Sequence, residues 1–189
     1  MTSSRLRAPA IAVLCLLLAA GLAACGNQQP TRTHADTEGP YLNVGPLKYQ
    51  VQVSRQLNPA DIEDQVYLRG ISPRDNRLRP DETWFGVFVR AVNETDRPEQ
   101  AAQTFEIVDT QGRRFFPVAV SANPFAYRPA RIAPGGSLPA FGSIADLSAI
   151  GGSLVLFKLT LTALANRPLE LVIRGGQRPT AEGTVELDV

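Results

Sequence analysis

Cysteine, histidine and methionine are almost missing from this 189-residue chain. The two cysteines are Cys15 and Cys25, the one histidine is His34 and the one methionine is Met1, so residues 46–189 contain none of the three. Copper and other soft-metal sites need clusters of these ligands, which excludes them from that region, and disulfides are excluded with them. Ser-His-Asp catalysis fails for a related reason, because the serine proton needs a positioned imidazole. Lysine is scarce as well. Lys48 and Lys158 are the only two, and neither follows a serine at Ser-x-x-Lys spacing. There is no Gly-Lys dipeptide and no Gly-x-Gly-x-x-Gly run to cradle a phosphate. Charge of either sign is also not in excess, with 19 basic against 18 acidic side chains. Phosphate neutralisation leaves a basic excess as its footprint, so nucleic acid is not an expected partner.

The first 24 residues do have a strong pattern. Arg5 and Arg7 precede an uncharged run from Ala8 to Ala24 that is rich in Leu and Ala and ends in small residues. The run closes on Leu22-Ala23-Ala24-Cys25 followed by Gly26. This resembles the lipobox of bacterial lipoproteins. The resemblance implies that residues 1–24 are a signal peptide removed by the lipoprotein signal peptidase, and that the Cys25 thiol carries a diacylglyceryl group. The other readings fit less well. An uncleaved anchor needs about 20 apolar residues, and here Pro9 and Gly21 interrupt the run. An ordinary secretory leader would leave Cys25 as an odd thiol in an oxidising compartment. Two acyl chains suffice for stable anchoring where one does not. The expected location is therefore the extracytoplasmic face of the cell membrane, with the membrane itself as a partner. Losing Arg5 and Arg7 leaves 17 basic against 18 acidic groups, a net charge of −1. Arginine outnumbers lysine 17 to 2, as expected of a GC-rich genome such as an actinobacterium's.

Residues 25–45 read as the lipidated cysteine and a flexible tether, polar until Tyr41 and Leu42. Twenty such residues span about 25 Å root-mean-square. His34 falls in this tether, where no scaffold is expected to fix it. Residues 46–189 read as one domain, long enough to bury about two-thirds of its unfolded surface without a staple.

From Leu47 the hydrophobic period is two. Leu47, Tyr49, Val51 and Val53 alternate with polar neighbours, the pattern of a half-buried strand. Thr83 to Val92 is aromatic and β-branched and apolar on both faces, which suits a central strand. Phe105 to Val108 and Arg113 to Val118 flank the turn Asp109-Thr110-Gln111-Gly112. Leu154 to Thr162, Leu169 to Ile173 and Thr184 to Val189 complete the strands, with Val155, Phe157, Leu159 and Leu161 sharing one face. Short helical turns are expected at Asn58 to Asp64 and Ile144 to Ala149. About seven short strands jointed by Gly and Pro predict an all-β antiparallel sandwich.

The order of signals resembles a class of bacterial immunoglobulin-like lipoprotein domains of unknown function. It begins with an aromatic strand ending at an Asn turn (Phe85 to Asn93) and an Asp-x-x-Gly hairpin leading to an aromatic (Asp109 to Phe115). Pro134 to Ser137, Gly152 to Leu161 and Leu169 to Ile173 follow, so the resemblance covers most of residues 46–175. It implies an immunoglobulin-like sandwich and no catalytic residues or cofactor. The Pro/Gly-rich stretch between residues 119 and 152 is longer than the pattern.

Two regions are candidate binding loops. Arg69, Arg74, Arg77 and Arg79 form the densest run of charge and suit anionic headgroups, glycan phosphates or an acidic partner, or a solvated loop. In the 119–152 insertion, Phe125 and Tyr127 stand beside Arg128 and Arg131. They suit an aromatic and cationic contact surface, or else a cap on the sandwich. Asp61-Ile62-Glu63-Asp64 offers oxygen ligands for a hard cation but matches no loop motif, and the metal expectation is none. The function expected is a non-catalytic binding or assembly module with an envelope protein partner. The alternatives are a carrier of lipid or another hydrophobic molecule, which needs an apolar cavity, and a carboxylate-based hydrolase.

Overall fold

The computed structural model describes residues 31–176 and 180–189, so the leader and Cys25 lie outside the described residues. Twelve strands and two short helices follow in order: β1 (His34–Ala35), β2 (Leu42–Val44), β3 (Leu47–Leu57), α1 (Ile62–Leu68), β4 (Glu82–Val92), β5 (Glu99–Gln100) and β6 (Thr104–Val108). After these come β7 (Arg114–Phe115), β8 (Arg131–Ile132), β9 (Ser137–Leu138), β10 (Ser153–Thr160), α2 (Leu161–Ala165), β11 (Leu169–Arg174) and β12 (Glu182–Leu187). One sheet runs β1-β12-β11-β6-β7, the other β10-β4-β3-β2 with β9 beside β4, and β5 pairs with β8. This is the all-β sandwich that the strand pattern predicts, with the named strands antiparallel except where β1 joins β12.

Alternation explains the space between the sheets. Tyr49, Val51, Phe85, Val87, Val89, Phe157 and Leu159 face Phe105, Ile107, Leu171, Ile173 and Val185 in one buried cluster. The opposite face of β4 and β10 is also buried. Leu57, Trp84, Phe88, Leu154 and Leu156 form a second cluster, covered by Tyr67 and Leu68 of α1 and by Val118, Val120, Phe125 and Ile150. The apolar character of both faces of β4 is thereby explained. At about 25 cal/mol per Å², burying Phe88 alone contributes roughly 2 to 3 kcal/mol. The ring of Tyr67 meets Phe88 edge-on at 4.9 Å and Phe125 at 5.0 Å, the geometry aromatic quadrupoles favour.

Several boundaries differ from the sequence expectation. A β-bulge between Val51 and Val53 turns Val53 to the outer cluster, away from Val51. Helix α1 starts later than expected, capped by Asp61 accepting the Glu63 amide at 2.9 Å, and continues to Leu68. It is followed by Gly70 at φ +83°, where a Cβ would meet the Ser121 carbonyl at 1.7 Å, so only glycine fits there. The segment around Ile144 to Ala149 makes turns and no helix. Strand β10 ends at Thr160, whose hydroxyl accepts the Ala163 amide at 3.1 Å and starts α2. Leu161 is consequently 52% exposed and leaves the face it was expected to share.

The largest correction concerns residues 31–45, read above as tether. The folded unit begins at Thr31. Leu42 and Val44 are core residues. The Arg32 carbonyl accepts the Asn43 amide at 2.6 Å on one sheet, and the Thr33 carbonyl accepts the Thr184 amide at 2.9 Å on the other. These residues therefore close one seam of the sandwich. At the opposite seam the chain leaves β7 after two residues, where β7 was expected to run to Val118, and the Val118 amide bonds the Leu156 carbonyl at 2.7 Å. Closure of both seams leaves little bare strand edge to recruit another chain.

Candidate functional site

The residues singled out by the sequence do not form one patch. Arg69, Arg74, Arg77 and Arg79 are all exposed, but the backbone around them is committed. The Arg69 carbonyl accepts from Asn123 Nδ2 at 2.9 Å and the Arg77 carbonyl from Lys158 Nζ at 2.9 Å. Arg79 bonds Glu82 at 2.7 Å, and this hydrogen bond holds its guanidinium above its ordinary pKa. Of the four, only Arg69 lines the depression of about 460 Å³ over Trp84. At Asp61 to Asp64 both aspartates are spent on the fold. Asp61 caps α1, and Asp64 takes Arg55 and the Asn58 amide. Burial acts to raise the Asp64 pKa, but those two donors outweigh it and hold the carboxyl below its ordinary range.

Phe125 and Tyr127 turn inward to two different clusters. Phe125 joins the outer layer, pinned by Asn123. The buried Asn123 amide donates to the Val66 and Arg69 carbonyls at 2.9 Å each, and its Oδ1 accepts the Phe125 amide at 2.9 Å. Tyr127 packs on Phe105 at 4.8 Å and donates to the Ala102 carbonyl at 3.0 Å, while Tyr49 Oη accepts the Ala102 amide at 2.6 Å. Burial pushes the pKa of both phenols up. Arg128 and Arg131 remain exposed. The aromatic side chain that shares a depression with Arg131 is instead Phe141. Both line a depression of about 620 Å³ with Val92, Ile132 and Leu138.

Phe141 belongs to the main feature that the sequence reading missed. Phe141, Ile144 and Leu147 are 94%, 60% and 75% exposed. The turns that carry them are closed by Ser143 N–H to the Ala140 carbonyl at 3.0 Å and Leu147 N–H to the Ser143 carbonyl at 2.9 Å. Ala145, between them, is buried. Asp146 ties the loop to β4 by accepting Arg90 at 2.9 Å and the Gly142 amide at 2.9 Å. The Gly142 amide and then Arg90 hold the Asp146 pKa below its ordinary value. Arg90 also donates to the Gly151 carbonyl at 3.2 Å. Large apolar side chains held outward by a pinned backbone are a mark of interaction surfaces. The i, i+3, i+6 spacing of the three was the available signal, and only a short helical turn at Ile144 to Ala149 was expected there.

His34 was expected to lack a scaffold. It has one, on β1, with Nδ1 2.7 Å from Thr184 Oγ1 and Nε2 2.9 Å from Asp36. His34, Asp36 and Glu186 offer ligand atoms within 4.8 Å of one another at the surface. Elsewhere the buried acids are engaged. Glu106 lies between Arg174 at 2.6 Å and Arg114 at 3.0 Å, and Arg174 first of all holds its pKa down. The buried Asp109 takes Arg113 at 2.7 Å and the Gln111 and Arg113 amides. A third open depression of about 470 Å³ runs along β10 beside Phe105, Val118, Tyr127, Leu154 and Leu156. None of the three depressions is lined by an aspartate or glutamate.

No family model matches the sequence, and no curated protein matches it. Among solved structures it is similar to the YjhA protein of Bacillus subtilis, at 9% identity and a TM-score of 0.47, over 81% of this chain and 99% of that one. It is also similar to YcdA of Bacillus subtilis, provisionally described as a lipoprotein, at 10% identity and a TM-score of 0.47. That match covers 80% of this chain and spans 39% of the length of YcdA. At this distance neither likeness bears on function.

Proposed function

We propose that the protein is a lipid-anchored envelope protein whose sandwich works as a non-catalytic binding or assembly module on the extracytoplasmic face of the membrane. The observation that carries this reading is the loop of Phe141, Ile144 and Leu147, exposed and tied down by Asp146. An exposed apolar surface costs solubility unless something covers it. The lipobox at Leu22 to Cys25 supports the anchor. A binding module also agrees with the residue inventory, which offers no imidazole on β4 or β10 and no carboxylate in the depressions.

The competing reading is a carrier, and the groove along β10 is the place a hydrophobic ligand would occupy. The two are separated by a native mass spectrum of the full processed chain extracted from its own membrane, together with a photo-crosslinker at position 144 in cells. A module gives the mass of the acylated chain alone and a crosslink at 144, to an envelope protein or to membrane lipid. A carrier gives a discrete excess mass that is lost on collisional activation, and no crosslink at 144.

A further inference from the structure

With Thr31 already in the fold, only six peptide units separate it from Cys25. Fully extended, they reach about 20 Å. An anchor on Cys25 therefore keeps the point of entry into the sandwich within that distance of the lipid headgroups, where a twenty-residue tether could extend to about 70 Å.

The pairing register shows what else lies at that end. The Arg32 carbonyl bonds Asn43, Asn43 stands opposite Lys48, Lys48 opposite Val92, and Val92 opposite Ser137. Arg32 and Ser137 thus share one row across the sheet. Four strand spacings separate them, about 19 Å. The apolar loop begins just beyond, after Leu138, and is fastened through Arg90, two residues along β4 from Val92. Arg131, which forms no ion pair among the described residues, lines the same depression as Phe141. The Asp146 charge beside them is answered by Arg90. Exposed Phe, Ile and Leu on one loop, with Arg131 sharing the depression of Phe141 and unpaired among the described residues, at the end of the fold where the anchor enters, match the chemistry of a phospholipid interface.

We propose that Phe141, Ile144 and Leu147 seat in the headgroup and acyl boundary of the leaflet that holds the anchor, with Arg131 meeting lipid phosphate. The module would then stand in one orientation on the membrane, with α2 at the far end of β10 pointing away. The proposal rests on the anchoring of Cys25.

Its test uses the absence of any other cysteine from the processed chain. Ile144→Cys and, as a control, Leu161→Cys are each labelled with an environment-sensitive fluorophore in the full processed chain. Each protein is then reconstituted in vesicles of phosphatidylethanolamine and phosphatidylglycerol. The expected result is a blue shift at 144, with quenching by acyl-chain-brominated lipid at least threefold stronger than at 161. Adding Phe141→Ser and Leu147→Ser should abolish the shift while the protein still floats with the vesicles. Equal emission and quenching at 144 and 161 in floating protein overturns the seating and leaves the anchor standing. A shift seen only in native membranes and absent from pure lipid assigns the loop to a protein partner and also overturns it. Protein that fails to float, with Cys25 itself taking the label, overturns the anchor and the seating together.

Discussion

The Asp146 carboxylate bonds Arg90 through one oxygen and the Gly142 amide through the other, each at 2.9 Å, so a single side chain fixes the apolar loop to β4. Asp146→Asn keeps the shape and loses the charge that both donors answer. We expect amide exchange across residues 142–151 to quicken about tenfold, as local opening becomes easier. Exchange in the inter-sheet core should be unchanged. Equal protection in both proteins would mean that the turns hold without Asp146.

Ala102 depends on two tyrosines. Its amide donates to Tyr49 Oη and its carbonyl accepts from Tyr127 Oη. Tyr49→Phe strands a buried N–H and should cost about 2 kcal/mol in chemical denaturation, whereas Tyr127→Phe strands a carbonyl, the better-tolerated orphan, in a part-buried bond and should cost about 1 kcal/mol. The ordering is the check, and equal losses would refute the assignment of the amide as the more costly orphan.

Asn123 joins the long insertion to α1 through the Val66 and Arg69 carbonyls and the Phe125 amide. Asn123→Ala leaves several buried groups without partners and should lower stability by about 2 to 3 kcal/mol. It should also expose Phe125 and Tyr67 to solvent, read as faster exchange in both α1 and the 119–126 segment. Loosening of one without the other would contradict the coupling.

How much of this is legible in the sequence depends on period. Leu47 to Val51, β4 and β10 follow strand rules and the sandwich follows from them, but of the pairings only the hairpin at Asp109 to Gly112 is legible. The outer layer follows no rule of that kind, because Tyr67 comes from a two-turn helix and Val118, Val120 and Phe125 from turns and extended chain with no repeat. Leu42 and Val44 alternate for only three residues, too short to separate a seam strand from a tether. The stretch Phe141 to Leu147 shows the remaining limit. Spacing reveals which side chains share a face, but burial depends on what the rest of the chain has left to cover them.

Acid should weaken the fold in a defined window. Glu106, Asp109, Asp64, Glu82 and Asp146 all have folded pKa values below their ordinary ones. A lowered folded value contributes stability that is present above the ordinary carboxylate range and is lost as pH falls through the folded value. Glu38 is shifted the other way, raised by burial. The melting temperature should stay level from pH 7 to about 5 and drop below about 4. Glu106→Gln should flatten part of that drop, because the buried carboxylate that Arg174 and Arg114 hold down is then gone and Arg174 keeps only the more exposed Glu182. A melting temperature that rises on acidification would show that Glu38 outweighs the other five.

The anchor at Cys25 and the short chain that links it to Thr31 underlie both the module and its seating. The most direct measurement is the mass of the N-terminal peptide from the protein extracted from its own membrane. The account predicts a chain that begins at Cys25 and carries a diacylglyceryl mass on its thiol. A chain that begins elsewhere, or a Cys25 with a free thiol, would contradict it.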